Sequence, residues 1–284
     1  MTDMTNKNVI ITGGNSGIGL EAAVGLAKLG ATVVIACRNP TKANAALSEI
    51  MQRSQGGDVS TMSLDLASFT SIRGFAKEAI DRFDRIDVLL NNAGLVVRSR
   101  QETADGFEQT FGVNHLGHFL LTDLLLDRIK ATPGSRIVTV ASDAHKFVGK
   151  GLDLDDLQSQ RSYAAFKVYG KSKLANILFT RELARRLAGS TTTANCLHPG
   201  FVASNFGRDD PLGKIAMVIG RPFAISAERG ALTSIHLASD PTVASSNGAY
   251  FYKCAERAPS AKARDDAMAS ALWDASVALV ESRS

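Results

Sequence analysis

Strand patterns and helix patterns alternate along the whole chain, and this alternation constrains the fold more than any other feature. Short β-branched runs, of which Val9-Ile-Ile-Thr12 is the first, are followed by segments with apolar residues at helical spacing. The predicted strands are residues 9–12, 32–36, 59–64, 88–90, 136–141, 192–197 and 249–252, and the predicted helices are 17–29, 41–52, 68–83, 106–130, 163–187 and 227–238. This order predicts a doubly wound α/β fold: a parallel sheet of about seven strands with helices on both faces.

The composition is that of an ordinary soluble protein. The 284 residues contain no linker or low-complexity segment, so we expect a single domain over residues 1–284. Lysines and arginines are scattered and the net charge is only +4, which predicts no nucleic-acid partner but suits a cleft for an anionic cofactor. Without a signal-peptide pattern or an apolar run of ~18 residues, we expect a cytoplasmic protein with no membrane span.

The three cysteines, Cys37, Cys196 and Cys254, match no metal-ligand spacing, and no metal site is predicted. Cys37 and Cys196 lie in apolar strand-like runs, where a buried thiol acts as a small hydrophobic side chain.

A glycine-rich turn, Thr12-Gly-Gly-Asn-Ser-Gly-Ile-Gly19, joins the first strand to the first helix. Glycines at this G-x-x-x-G-x-G spacing let the backbone turn tightly and approach a pyrophosphate at the helix N-terminus. A flexible turn without a ligand is the alternative, and the strand-turn-helix context favours a dinucleotide cofactor. The turn residues predicted to bind it are Gly13, Asn15, Ser16, Gly17, Ile18 and Gly19.

The next two strands end in residues that bear on the choice of cofactor. Arg38 and Asn39 follow the second strand, where a carboxylate would suit a free ribose 2′-hydroxyl and a guanidinium suits a 2′-phosphate. Arg38 therefore favours NADP(H), unless it only lies in solvent at the loop. Asp65, followed by Leu66, is expected either to accept a hydrogen bond from the adenine amino group or to cap the next helix.

The segment Asn91-Asn-Ala-Gly94 follows the fourth strand. Its small residues are expected to admit the adenine ribose, with an ordinary Asn-Gly-type turn as the alternative. The residues assigned to the cofactor here are Asn92, Ala93 and Gly94.

Tyr169 and Lys173 are four residues apart in a predicted helix and share one of its faces. An ammonium beside a phenol favours the phenolate, so Lys173 is predicted to lower the pKa of Tyr169 from its usual value near ~10. Such a phenol exchanges a proton with an alcohol oxygen near neutral pH. An exposed, inactive pair is the alternative.

Ser142 ends the fifth strand, either as a catalytic hydroxyl or as a helix cap.

The turn TGxxxGxG, the NNAG segment, the strand-end serine and the YxxxK pair, in this order, resemble the short-chain dehydrogenase/reductase family, and the match covers almost the whole chain. The resemblance implies a Rossmann domain in which Tyr169 is the acid/base, Lys173 binds the nicotinamide ribose and Ser142 binds the reacting oxygen. Asn114 matches the asparagine that holds a relay water behind the lysine. The segment His198–Val202 matches the part that surrounds the nicotinamide, and the residues assigned there are Pro199, Gly200, Val202 and Ser204.

The segments Ala36-Cys-Arg38, Asp105-Gly-Phe107, residues 113–121, Ser172-Lys-Leu-Ala-Asn176 and the tail 248–280 look like the retinol dehydrogenase-type branch. The resemblance implies transfer of hydride between NADP(H) and a carbonyl or alcohol of a small, hydrophobic substrate. Light-dependent reduction of an olefin, as in protochlorophyllide reductases, and non-catalytic sensing of NADPH are the alternatives. The family commonly pairs through its long helices, so a homo-oligomer is a further expectation.

Two segments are expected to form loops near the substrate, residues 143–166 and 201–226. The second contains apolar residues that would line a hydrophobic pocket or pack on the core: Ile215, Met217, Val218, Ile219 and Phe223. His115, His118 and His198 lie in apolar contexts and are expected to be structural, hydrogen-bonded imidazoles. His145, three residues after Ser142, is a candidate substrate contact or another structural histidine.

Overall fold

A mixed, mostly parallel sheet runs through the computed structural model, which describes residues 2–201 and 225–283. Within those residues it has eight strands in the order β3-β2-β1-β4-β5-β6-β7-β8. They are β1 Asn8–Thr12, β2 Thr32–Cys37, β3 Val59–Ser63, β4 Val88–Asn91, β5 Arg136–Val140, β6 Thr193–His198, β7 Tyr250–Tyr252 and β8 Ala255–Arg257. All neighbours are parallel except β7 and β8. The doubly wound α/β fold is therefore confirmed.

The helices cover the sheet on both faces. They are α1 Gly17–Lys28, α2 Pro40–Arg53, α3 Phe69–Arg82, α4 Gln109–Phe111, α5 Gly117–Lys130, α6 Ala165–Arg186, α7 Ala227–Ser239 and α8 Asp266–Glu281. One apolar layer joins the sheet to α1, α2 and α7, and the other joins it to α3, α5, α6 and α8. Because the central strands are buried on both faces, their sequences are continuously apolar rather than alternating.

Polar residues before the helices set several of their starting points. The side chain of Asn39 accepts a hydrogen bond from the backbone N–H of Lys42 at the start of α2, and Ser68 accepts one from Ser71 at the start of α3. These caps satisfy N–H groups that have no partner within the helix.

The predicted helix over residues 106–130 is interrupted. Gly106 has a left-handed φ of +82°, α4 is a single short turn, and a π-helical turn over Gly112–Leu116 precedes α5. The buried carboxylate of Glu108 accepts hydrogen bonds from the N–H groups of Thr110 and Phe111, which explains why the helical backbone begins after residue 108. Apolar periodicity alone does not show this break.

Two elements near the C-terminus differ from the sequence expectation. The eighth strand, β8, is three residues long and half-buried or exposed, so it has no apolar pattern to predict it. Helix α8 was not predicted either, although Asp265 caps it by accepting from the N–H of Met268. Its Trp273 packs on Phe179 of α6 and on Phe119 of α5. The chain's own tail thus covers the outer side of the long helices.

The parallel strands bring their carboxyl ends to one edge of the sheet. The glycine-rich turn follows β1, Arg38 follows β2, Asn92 follows β4 and Ser142 follows β5. Residues far apart in sequence therefore meet at this edge, where ligands of such sheets bind. None of the helices in residues 2–201 and 225–283 combines the length and the hydropathy that crossing a membrane requires.

Candidate active site

The turn between β1 and α1 has the shape expected of an anion-binding loop. Gly17 has a left-handed φ of +54°, and a side chain there would meet nothing within 4 Å. Ser16 precedes α1 without capping it through its side chain, which leaves the first N–H groups of the helix available. The open space and these donors fit a pyrophosphate group. Gly13 and Asn15 lie in the same turn, and Ile18 and Gly19 lie in the first turn of α1.

A polar network fixes this turn to the segment after β4. The hydroxyl of Thr12 accepts hydrogen bonds from the N–H groups of Asn92 (2.9 Å) and Ala93 (3.0 Å), and the Asn92 amide donates to the Thr12 carbonyl (2.8 Å). The same hydroxyl lies 2.9 Å from Nε2 of His118, whose Nδ1 lies 3.1 Å from the Asn114 carbonyl. His118 is therefore structural, as expected, whereas the sequence did not indicate the role of the Thr12 hydroxyl.

The residues beyond β2 and β3 lie together at the same edge. The side chain of Arg38 is 70% exposed, and its Nη1 is 3.8 Å from Oδ2 of Asp65. The other carboxylate oxygen of Asp65 accepts from the N–H of Ala67 in the turn before α3. Because Ser68 caps α3, the alternative that Asp65 caps this helix is wrong, and its contact with the adenine stays a prediction. The Asn39 side chain caps α2, and Leu66 is buried. Contact of Arg38 with a 2′-phosphate stays a prediction.

Ser142 and Tyr169 meet where β5 ends and α6 begins. The hydroxyl of Ser142 lies close enough to the phenol of Tyr169 to lower its pKa, and it accepts from the N–H of Ala144 at 3.2 Å. The serine is thus both a cap and a partner of the tyrosine. One turn along α6, Lys173 is buried, with its Nζ 5.7 Å from the Tyr169 ring centre and 2.9 Å from the Val140 carbonyl.

Burial controls the protonation of this pair. Desolvation raises the pKa of Tyr169 to about 12, against a smaller opposite effect of the Ser142 hydrogen bond. Burial lowers the pKa of Lys173 to about 8. The expectation that Lys173 lowers the pKa of the phenol is therefore wrong: desolvation raises this pKa, and the small opposite effect comes from Ser142 rather than from Lys173.

Asn114 lies in the π-helical turn and is fully buried. Its side chain binds both backbone groups of Leu95, at 2.8 and 2.9 Å, and donates to the hydroxyl of Ser172 at 3.0 Å. Ser172 in turn donates to the Tyr169 carbonyl, a link that sequence reasoning missed although Ser172 lies inside the YxxxK motif.

Gly94 lies next to both Lys173 and Asn114. A side-chain carbon at this position would come within 3.3 Å of Lys173 Nζ and 3.5 Å of Asn114 Oδ1. A larger residue here would push against the Lys173 ammonium, so glycine lets the segment after β4 approach the lysine and the asparagine without displacing them.

The remaining histidines are hydrogen-bonded within the protein. His115 contacts Ser276 and His198 accepts from the N–H of Asp143, as expected of structural imidazoles. His145 is fully buried, and both of its ring nitrogens contact backbone groups of Ser142 and Ser260. The structural alternative holds for His145, and the expected substrate contact does not.

The two predicted loops differ in what the structure describes. Residues 143–164 contain two short 3-10 turns and reach α6, with Tyr163 donating to the Val97 carbonyl. Pro199 and Gly200 follow β6, whereas Val202, Ser204 and the apolar residues 215–223 lie outside the described residues. In the described part of the chain, no three His, Cys, Asp or Glu side chains are placed to hold a metal ion, and Cys37 and Cys196 are buried free thiols.

Known proteins are similar to this chain in sequence and in fold. A family model described as short chain dehydrogenase matches residues 7–154. Retinol dehydrogenase 14 of Homo sapiens is 43% identical over 294 residues, covering 98% of this chain and 87% of the relative. Retinol dehydrogenase 12 of Mus musculus is 44% identical over 274 residues, covering 96% and 86%.

Solved structures are similar over nearly the same length. The crystal structure of an uncharacterized protein from Mycobacterium Paratuberculosis has a TM-score of 0.80 at 36% identity and covers 99% of this chain and 96% of its own. RhlG of Pseudomonas aeruginosa, solved as an NADP active-site complex, has a TM-score of 0.71 at 25% identity, covering 88% and 95%.

Proposed function

The chain belongs to the short-chain dehydrogenase family, in its retinol dehydrogenase branch, and we propose that it transfers hydride between NADP(H) and the carbonyl or alcohol carbon of a hydrophobic substrate. The observation that carries the proposal is the placement of the Ser142 hydroxyl and the Tyr169 phenol together beside the buried Lys173. A hydroxyl and a phenol placed side by side can both turn their O–H groups toward one substrate oxygen. NADP(H), when bound, supplies or accepts the hydride.

The protein's part in the reaction is to bind, orient and move a proton. In the direction of reduction, Ser142 and Tyr169 donate hydrogen bonds to the carbonyl oxygen and stabilise negative charge as it develops there. The raised pKa of Tyr169 keeps its hydroxyl protonated at neutral pH, so Tyr169 is ready to donate its proton to that oxygen. Lys173 lies beside the Tyr169 ring, and Asn114 is linked to the Tyr169 carbonyl through the hydroxyl of Ser172.

The cofactor would be held by the turn between β1 and α1, by the residues after β2 and β4, and by Lys173. Arg38 is the residue that favours NADP(H), because its guanidinium is exposed at the end of β2 and no carboxylate precedes it in the segment Ala36-Cys-Arg38. The NADP bound to RhlG supports the same choice. The names of the relatives make retinol and its aldehyde the first substrates to test.

Replacing Tyr169 with Phe tests the assignment. We expect turnover to fall by roughly 10²–10⁴-fold, because the proton donor is lost, while NADPH still binds with near wild-type affinity. Oxidation and reduction are followed by the absorbance of the reduced nicotinamide, and binding by its fluorescence.

Tyr163→Phe is the matched control. Tyr163 lies six residues earlier, and its hydroxyl donates to the Val97 carbonyl rather than to Ser142. This variant should keep most of its activity. Turnover of the Tyr169→Phe protein close to that of the wild type would refute the role given to Tyr169.

A further inference from the structure

Two imidazoles hold the peptide group that joins Ser142 to Asp143. The Ser142 carbonyl accepts a hydrogen bond from Nδ1 of His145 at 2.7 Å. The Asp143 N–H, which belongs to the same peptide group, donates to Nδ1 of His198 at 3.3 Å. The backbone at the reactive serine is therefore held from both sides, by side chains from two different parts of the chain.

The partners determine which nitrogen of His145 carries the proton. The Ser260 N–H donates to Nε2 of His145 at 3.2 Å, so Nε2 must present its lone pair. The Ser142 carbonyl can only accept, so Nδ1 must carry the hydrogen. His145 is thus neutral, with its proton on Nδ1.

The surroundings of His145 leave its ring little freedom to move. The side chain is fully buried, and the ring of Tyr250 packs edge-on against it with 5.6 Å between ring centres. The hydroxyl of Tyr250 donates to Asp143 at 2.9 Å. Ser260 and Tyr250 of β7 therefore help to fix Ser142 and Asp143 at the end of β5.

We infer that His145 is a positioning residue that orients Ser142 toward Tyr169. The backbone N–H of His145 also donates to the Ser142 carbonyl, so the 3-10 turn forms without the imidazole. The imidazole adds a second hydrogen bond to the same carbonyl, which limits rotation of the peptide group. Because this peptide group is attached to the Ser142 Cα, its orientation also determines where the serine hydroxyl points. This inference rests on the proposed function, in which Ser142 contacts the reacting oxygen.

Small displacements of a catalytic hydroxyl have large effects, since ~1 Å of misplacement can lower a rate by about 10²-fold. His145→Phe fills the same space without a hydrogen bond, and His145→Asn places an amide N–H near the position of Nδ1. We expect His145→Phe to lower kcat by roughly 10–100-fold with an unchanged KM for NADPH, and His145→Asn to recover most of that loss.

The decisive comparison uses the Ser142→Ala background. If His145 acts through Ser142, then His145→Phe has little further effect on kcat once the hydroxyl is gone. A wild-type kcat in His145→Phe, or an equal loss in both backgrounds, would overturn the inference. Near-UV circular dichroism and thermal unfolding of each variant show whether it is folded.

A measurement without catalysis keeps the inference testable if His145→Phe fails to fold. In wild-type protein with ¹⁵N-labelled histidine, the ring nitrogens of His145, assigned by their absence in His145→Asn, should show the neutral form with the proton on Nδ1. A proton on Nε2 would contradict the hydrogen bond itself. A wild-type protein that turns over no alcohol or aldehyde would instead refute the proposed function, whatever the tautomer.

Discussion

Desolvation, rather than the charge of a neighbour, decides the protonation of the central residues. Tyr169 and Lys173 both shift toward their neutral forms, because water is excluded from each of them. A neutral phenol is the form that donates a proton, which suits reduction of a carbonyl. A bound oxidised cofactor would bring positive charge to the same place and favour the phenolate needed for oxidation.

The proposed preference for NADP(H) rests on one exposed side chain, that of Arg38 at the end of β2. Arg38→Ala is expected to weaken NADPH binding by roughly 10-fold or more and to leave NADH binding nearly unchanged, because only NADPH carries the 2′-phosphate that a guanidinium binds. Fluorescence titration of the reduced cofactors measures both affinities.

Lys42→Ala is the control for this experiment. It removes a nearby exposed positive charge from α2 without changing the residue that follows β2. An equal loss of affinity for both cofactors in Arg38→Ala, or no loss for either, would show that Arg38 does not select the phosphate.

Among the elements, the π-helical turn before α5 has the clearest consequence for the site. It places Asn114 beside Leu95 and Ser172, and it is followed by His118, which reaches Thr12. A regular α-helix would continue the 3.6-residue repeat and change the direction of Asn114 relative to His118. The predicted helix is thus interrupted where the chain links two parts of the site. Asn114 contacts Ser172 near Lys173, and His118 contacts Thr12 at the glycine-rich turn.

Trp273 is the aromatic side chain through which helix α8 packs on α5 and α6. Trp273 stacks on Phe179 with 5.8 Å between ring centres, meets Phe119 edge-on at 4.9 Å, and lies under the guanidinium of Arg186. Trp273→Ala is expected to lower the free energy of unfolding by about 3–5 kcal/mol, because the cavity cannot close between packed helices. Denaturant unfolding followed by circular dichroism measures the change.

The neighbouring residue provides the control. Asp274 is largely exposed, and its carboxylate is 3.8 Å from Arg186. Asp274→Ala should change the free energy of unfolding by no more than about 1 kcal/mol. A similar small effect for Trp273→Ala would mean that α8 contributes little to the stability of the fold.

At the scale of the whole molecule, buried neutral histidines predict sensitivity to acid. Burial lowers the pKa of His115 to about 3 and that of His118 to about 4, from 6.5. Between pH 6.5 and these values, the unfolded chain binds protons that the folded chain does not. The free energy of unfolding should therefore fall as the pH decreases, by up to about 1.4 kcal/mol per pH unit for each histidine.

His115→Phe tests this origin of the acid sensitivity. The plot of unfolding free energy against pH, between pH 7 and 4, should become shallower by about one proton. Ser276→Ala removes the hydrogen-bond partner of His115 but keeps the imidazole, so its slope should equal that of the wild type. An unchanged slope in His115→Phe would indicate that other groups cause the acid sensitivity.

The chain order of motifs was sufficient to predict the fold and the residues gathered at its reactive edge. Strand-forming runs followed by helical segments imply parallel strands, and parallel strands bring Gly17, Arg38 and Ser142 to the same edge. The spacing of Tyr169 and Lys173 placed both on one helical face, as the structure shows. These features depend on local propensity and periodicity, which a sequence records directly.

Other features depend on which surfaces meet, and only the tertiary structure determines them. The sequence predicted a lowered pKa for Tyr169, and burial reversed its direction. It predicted a structural role for His118 and left a substrate contact open for His145, but it could not name the two hydrogen-bond partners that packing gives each of them. Desolvation and the partners of a buried polar group depend on atoms that are distant in the chain, so neither can be read from the residues next to it.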